Sequence, residues 1–287
     1  MNAESVKLAA GLYLVAVPIG TARDITLRAL DVLASADVLA AEDTRSLRRL
    51  MDIHGIPVGD RPLLAYHDHN GDRVRPRLMQ AVAEGRSVAY ASEAGTPLIA
   101  DPGYDLAREM RGAGHAITSA PGASAVITAL TLGGLPTDRF LFAGFLPNAS
   151  GARRSGLLEL RDIQATLVFY ESPNRIAATL EAAADILGKD RPAAICRELT
   201  KKFEEIRRGS LADLAESCRE DPPRGEIVLL IGRGTSENIS DSDLTSRLRQ
   251  ALEGQTVRDA ADQLAAEFGL PRRKVYQMAL KLEKGDE

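Results

Sequence analysis

At 287 residues and 30.8 kDa the chain is long enough for about two domains. Hydrophobic residues make up 45% and charged residues 26%, which excludes a disordered or fibrous chain. Lys and Arg number 36 against 40 Asp and Glu, a net charge of −4, so bulk charge does not grip nucleic acid and any polyanion must meet a local patch.

The longest apolar stretch, residues 8–20, is broken by Gly11 and Pro18 and falls short of the roughly 20 residues of a membrane span. It reads as a buried strand over 12–17. Further short Val/Ile/Leu/Ala runs occupy 38–41, 63–66, 87–91, 116–119, 166–170, 193–196 and 227–231. Helical patterns lie between them, such as Leu27, Leu30, Leu33 and later Leu47, Leu50, with Asp24 and Thr44 as cap candidates. Strands apolar on both faces and alternating with helices predict an α/β protein. The breaker-rich segment 132–145 separates two sets of such units, so two α/β domains are expected, over 11–120 and 121–234.

After Gly232 the string R-G-T-S-E-N-I-S-D-S-D reads as a linker that opens an extension over 235–287. There Ala260, Leu264, Ala265 and Phe268, then Val275, Met278, Ala279 and Leu282, fall at helical spacing around Gly269 and Pro271. Two readings fit: a helix-turn-helix with Arg272, Arg273 and Lys274 at the entrance of its second helix, or a helical hairpin that caps the second domain. Cys196 and Cys218 cannot build a disulfide framework and have no C-x-x-C or Cys/His companions, which points to reduced thiols in the cytoplasm.

Three glycine-proline loops each follow a strand: Pro18-Ile19-Gly20-Thr21, S-E-A-G-T-P-L-I-A-D-P-G from Ser92, and Pro121-Gly122-Ala123-Ser124. In an open α/β sheet the ligand lies beyond the carboxyl ends of the strands, and glycine lets backbone approach it. Three such loops describe one wall of a cleft. Neither G-x-G-x-x-G nor G-x-x-x-x-G-K-[ST] is present, which disfavours a kinase, an NTPase or an ordinary dehydrogenase. A nucleoside ligand with little phosphate, held by backbone and apolar contact, fits better.

Polar clusters follow other strands: Glu42-Asp43-Thr44-Arg45, His67-Asp68-His69-Asn70, Glu171-Ser172-Pro173-Asn174-Arg175 and Arg197-Glu198-Leu199-Thr200-Lys201. The two histidines suggest substrate hydrogen bonding rather than a metal, since no carboxylate cluster at ligand spacing joins them. Residues 44–77 hold seven Arg against four Asp, and 271–284 five bases against one acid, so the acidic chain contains two basic patches.

In the order P-I-G-x-x-x-D-I-T, A-E-D-T-R, H-D-H-N, S-E-A-G-T-P-L-I-A-D-P-G, G-L-P-T-D-R-F, F-Y-E-S-P-N-R and R-E-L-T-K, these strings resemble the ribosomal RNA small subunit methyltransferase I family. Its members are 16S rRNA cytidine-2′-O-methyltransferases of the tetrapyrrole methylase superfamily. The resemblance implies a class III methyltransferase fold, two α/β domains with a cleft between them plus a small helical C-terminal extension. It implies S-adenosylmethionine as donor, the small ribosomal subunit as partner, no membrane and a homodimer. Four departures stand out: Glu93 for the usual Asp, Thr21-Ala22 for Asn-Leu, Asn174 for His, and Ala123 for the second Pro of P-G-P-S.

Carried over by motif, the donor would meet Pro18, Ser92, Glu93, Ala94, Gly95, Thr96 and Pro97. It would also meet Pro121, Gly122, Ala123 and Ala125, and in the second half Phe169, Tyr170 and Glu226. Methyl transfer to a ribose hydroxyl needs alignment and either a proton acceptor or a cation for the developing alkoxide. Glu198, Lys201 and Arg45 are the catalytic candidates, and Glu42, Asp43, His67, Asn70, Glu171 and Arg175 the substrate-binding ones. Arg272, Arg273 and Lys274 would touch RNA phosphates.

Overall fold

The structure is a computed structural model that describes residues 3–4, 6–67, 69–101, 103–234, 241–268 and 270–284. Most of the linker, Asp68 and the turn glycine Gly269 therefore lie outside the described residues. The contacts group into two compact units. One takes in everything up to Gly134 together with Ile195–Arg207 and Pro223–Val228, and the other takes in Leu135–Ala194, Arg208–Pro222 and the chain from Leu229 onward.

The first unit opens with β1 (Gly11–Val15), α1 (Leu27–Ser35), β2 (Val38–Ala41), α2 (Thr44–Ile53) and β3 (Leu63–Ala65). It continues with α3 (Gly71–Ala83), β4 (Ser87–Ala91), α4 (Gly103–Gly112), β5 (Ile117–Ala120) and α5 (Ala125–Gly133). The strands form a sheet of order β3-β2-β4-β1-β5 in which every neighbouring pair is parallel. Successive side chains of a strand point to opposite faces, and here both faces are apolar. Leu39, Ala41, Ala89 and Ala91 join one core with Leu33, Leu47 and Met51 of α1 and α2. Val38, Ala40, Val88 and Tyr90 join the other, with Leu78, Leu106 and Met110 of α3 and α4. Double coverage is the reason these strands read as unbroken hydrophobic runs.

The second sheet has the order β6-β7-β10-β8-β9. Its strands are β6 (Phe140–Phe145), β7 (Thr166–Glu171), β8 (Pro192–Arg197), β9 (Glu205–Ser210) and β10 (Ile227–Ile231). With them come α6 (Ser150–Glu159), α7 (Ile176–Leu187) and α8 (Leu211–Glu220). The two strands that the sequence does not announce, β6 and β9, are the edges. β6 lies in the breaker-rich segment, with Gly144 at φ +65° and a register shift between Phe142 and Phe145. β9 reads E-I-R-R-G-S, charge that an edge tolerates and a central strand does not.

At the C-terminus α9 (Asp241–Leu252), α10 (Val257–Glu267) and α11 (Arg272–Lys284) share a core of their own, including Leu244, Leu248, Leu264, Phe268, Val275 and Ala279. Thr256 caps α10 by accepting the Asp259 N–H. Cys196 and Cys218 are buried and form no disulfide. No helix among the described residues is long and apolar enough to cross a membrane.

Candidate functional site

The loops that leave β1, β4 and β5 are knitted together by backbone. Val17 and Gly95 form an antiparallel bridge, with Val17 N–H donating to Gly95 O at 2.9 Å and Gly95 N–H to Val17 O at 3.1 Å. The Ser92 hydroxyl donates to Gly95 O at 3.0 Å and the Thr96 hydroxyl to Ala123 O at 2.9 Å. Both hydroxyls are thus committed to loop shape. Gly95 has φ +74°, and a Cβ there would stand 3.2 Å from Ile19. Around the Gly95 bridge the exposed residues besides Glu93 include the small or backbone-like Ala94, Pro121 and Gly122, while Ile99 is exposed further along the long loop. Ser124 precedes α5 without capping it, so the first amides of that helix have no side-chain acceptor.

The far end of the long loop is anchored from beneath. Leu98 and Ala100 have positive φ, a conformation costing about 1 kcal/mol or more at each non-glycine residue. Just after them Asp101 Oδ1 accepts the Tyr90 hydroxyl and the Gly103 N–H, both at 2.8 Å. Burial and the Asp101 charge push the Tyr90 hydroxyl far above its usual range, so it remains a donor. Tyr90 meets Tyr66 edge to face at 5.7 Å, and Arg75 Nε donates to the Tyr66 hydroxyl at 3.1 Å.

The turn after β8 packs against the first loop. Glu198 and Thr200 both take positive φ, and a Cβ on Gly20 would come within 2.6 Å of Lys201 Cγ and Thr200 Oγ1. Thr21 N–H donates to Thr200 Oγ1 at 3.1 Å while its own hydroxyl donates to Thr200 O. Lys201 Nζ sits 3.0 Å from Glu198 Oε1 and 3.0 Å from Glu226 Oε2. Glu198 also accepts the Glu226 N–H at 2.9 Å, and that hydrogen bond, reinforced by Lys201, holds its carboxyl below the usual range. Burial alone would lower the Lys201 ammonium, but its bonds to two carboxylates prevail and raise it. The cluster therefore keeps the Lys201 ammonium beside an ionised Glu198, with Lys201 still 27% exposed.

Other candidates form separate groups. Asp43 caps α2 by accepting the Arg45 N–H at 2.8 Å, and this bond with the Arg45 guanidinium lowers its carboxyl. The Arg45 side chain is 92% exposed. Glu42 Oε2 accepts the Glu93 N–H at 3.2 Å, tying the β2 end to the long loop. Asn70 Oδ1 accepts the His67 N–H at 3.0 Å, and its amide donates to Ala65 O at 3.0 Å and to His67 Nε2 at 3.2 Å. Among the described residues there is no group of three or more His, Cys, Asp or Glu able to hold a metal.

In the second unit Phe169 is fully buried, so its side chain belongs to the core and only its backbone can meet a ligand. Half-buried Tyr170 packs against Phe142 and Phe145 at 4.9 and 5.5 Å. Glu171 and Arg175 are committed to one another. The Glu171 carboxylate, 1% exposed, lies 3.2 Å from Arg175 Nε and accepts the Thr179 hydroxyl and the Ser172 N–H. The Arg175 guanidinium also binds Leu146 O and Asn148. We assign this pair to holding the β7–α7 turn rather than to presenting charge to a substrate. Arg272 pairs with Asp262 of α10, while Arg273 and Lys274 are exposed.

Sequence reasoning missed Thr200 and the supporting roles of Tyr90, Asp101 and Gly225. Gly225 has φ +88° and leaves room for the Glu198 carboxylate where a Cβ would collide with it. Thr21 was visible only as a departure from the family string; its partner lies 179 residues away.

A doubly covered parallel sheet with glycine loops at its strand ends, a second five-stranded sheet and C-terminal helices make up the architecture of a tetrapyrrole methylase. Residues 11–215 match the model of Tetrapyrrole (Corrin/Porphyrin) Methylases, and 238–283 match the RsmI C-terminal HTH domain. The chain is 45% identical to ribosomal RNA small subunit methyltransferase I of Mesorhizobium japonicum, covering 95% of this chain and 92% of the relative. It is 41% identical to the Haemophilus influenzae protein of that name, covering 95% and 98%. The crystal structure of Thermus thermophilus uroporphyrin-III C-methyl transferase complexed with S-adenyl homocysteine shares the fold at TM-score 0.54 and 18% identity, covering 77% of this chain and 97% of that one. The chain belongs to the ribosomal RNA small subunit methyltransferase I family, whose methyl donor is S-adenosylmethionine.

In the first-unit loops, exposed Ala94 and Gly122 leave small surfaces that a donor could approach, and Ser124 leaves the start of α5 without a side-chain cap, which would suit a carboxylate.

Proposed function

We propose that the chain methylates the ribose 2′-hydroxyl of a decoding-centre cytidine in 16S rRNA of the small ribosomal subunit. Bound S-adenosylmethionine supplies a methyl group already activated on a sulfonium. The loops around Gly95 and Gly122 orient it by backbone, with Ser92 and Thr96 fixing the loops. Lys201 presents a persistent ammonium that stabilises negative charge developing on the attacking hydroxyl. Glu198, held ionised by its hydrogen bonds, is a positioning residue for Lys201 and a weak proton acceptor. Glu42, His67, Asn70 and exposed Arg45 form the remaining acceptor side in this reading, and the molecule acts in the cytoplasm as a homodimer.

The observation that carries the RNA acceptor is the C-terminal helical unit, matched over 238–283 beyond the methylase region and basic on its last helix. The shared fold with uroporphyrin-III methylases keeps a tetrapyrrole acceptor as the second reading. Labelled donor incubated with assembled small subunits, free 16S rRNA and a uroporphyrinogen decides between them. Label is expected at one cytidine ribose of the subunit; label in the tetrapyrrole alone, or in nothing, overturns the proposal. Light scattering tests the homodimer.

A further inference from the structure

The C-terminal unit separates the basic residues of α11 by direction. Its inward line is Val275 and Ala279, fully buried, flanked by half-buried Met278 and Leu282. At 100° per residue the opposite line runs through Arg273, Gln277 and Lys281, with Lys274 beside it. All four are exposed. Arg272 does not belong to that line. One residue before Arg273, and so about 100° round the helix, it turns toward α10, where its guanidinium grips both carboxylate oxygens of Asp262, Nη2 to Oδ2 at 3.0 Å. That paired bond lowers the Asp262 carboxyl and raises the Arg272 guanidinium. Arg272 is therefore a clamp between the helices.

We propose that the Arg273–Gln277–Lys281 face of α11 is an RNA docking surface that grips phosphates, with Arg272 serving only to hold that helix against α10. The inference rests on the rRNA reading above and narrows it to named side chains. Charge complementarity commits the face to a polyanion: Arg273 and Lys281 have no described partner, and the acid of α11, Glu283, lies off the line. Spacing supports a backbone rather than a single anion. Residues 273 and 281 stand eight positions apart, about 12 Å along the helix, so they meet two phosphates, while Gln277 between them offers an amide to sugar or base edges.

The test compares the full-length parent with Arg273→Ala/Lys281→Ala and with Arg272→Gln, using assembled small subunits over a salt series. The double variant is expected to bind roughly tenfold more weakly at low salt. Its log affinity against log salt should flatten by about 1.4–1.8, the loss of two phosphate contacts. Its donor affinity and melting temperature should match the parent. Arg272→Gln is expected to melt slightly lower and to keep the parent's salt slope. A double variant with the parent's affinity and slope overturns the inference, and so does a slope change in Arg272→Gln as large as in the double variant. The same experiment records methyl transfer by the parent. If the parent leaves the subunit unmethylated, the rRNA reading fails; if the parent methylates it and the double variant binds it equally well, only the docking face fails.

Discussion

Two strand-exit turns look alike in sequence and do different work. F-Y-E-S-P-N-R after β7 and R-E-L-T-K after β8 each offer an acid and a base within five residues. In the first, Glu171 is 1% exposed and every strong donor around it belongs to the turn or to α7. In the second, Glu198 and Thr200 take left-handed backbone, Gly225 makes room, and the ammonium of Lys201 stays partly in contact with solvent. Backbone strain of about 1–3 kcal/mol per residue persists where the surroundings over-determine it, and that is more often at a reacting site than in a scaffold turn. The buried pair holds the β7–α7 turn, and the strained turn is the one to which the proposed chemistry is assigned.

Three substitutions put that contrast at risk. The largest effect is expected for Lys201→Ala. Removing a cation that stabilises a developing oxyanion should lower turnover roughly 10²–10³-fold, with donor affinity by calorimetry within twofold of the parent. Equal loss of donor binding and turnover would place Lys201 on the donor instead. Glu171→Ala comes next, read in a different quantity. Leaving Arg175 beside an emptied buried site should cost about 3 kcal/mol of unfolding free energy, while the protein that remains folded turns over at the parent rate. An inactive but equally stable variant would erase the distinction between the two turns. Gly20→Ala should be milder: its Cβ collides with Thr200 and the Lys201 stem, shifts the turn, and lowers turnover about tenfold through misalignment, with the donor KM unchanged. A normal rate would show that the first loop does not set the position of Lys201.

The fold was legible where burial made the pattern. The runs at 38–41, 87–91 and 227–231 coincide with β2, β4 and β10, central strands whose two covered faces favour apolar residues, with Ser87 at the start of β4 bonded to Asp37. The edges of the second sheet were not legible, because β9 carries Arg207 and Arg208 on a strand with one unpaired side and β6 bends at Gly144. The three glycine-proline loops follow β1, β4 and β5, where the sequence places them. The distribution of roles among acids and bases was not legible. Whether Arg272 faces RNA or Asp262, or whether Glu171 faces substrate or Thr179, depends on which neighbour folding delivers, and a local string does not contain that neighbour.

The smallest expected effect separates charge from shape in the second turn. Glu198 has a depressed pKa in the folded state, so its ionisation adds stability above its unfolded value near 4.5, and that stability is lost as pH falls through the lower folded value. Lys201 has a raised pKa, so its contribution is complete below about 10.5 and is lost as pH rises through the higher folded value. Between those limits Glu198 and Lys201 are both ionised, with Arg197 also acting on Glu198. Glu198→Gln keeps an acceptor for the Glu226 N–H and removes the charge. Its melting temperature should therefore lie a little below the parent's at pH 7, and the gap should close as pH drops from about 4.5 through the lower folded value. A gap that is constant from pH 7 to pH 3 would assign the whole effect to hydrogen-bond geometry, and Lys201 would then owe its position to the Thr21–Thr200 contact rather than to the carboxylates.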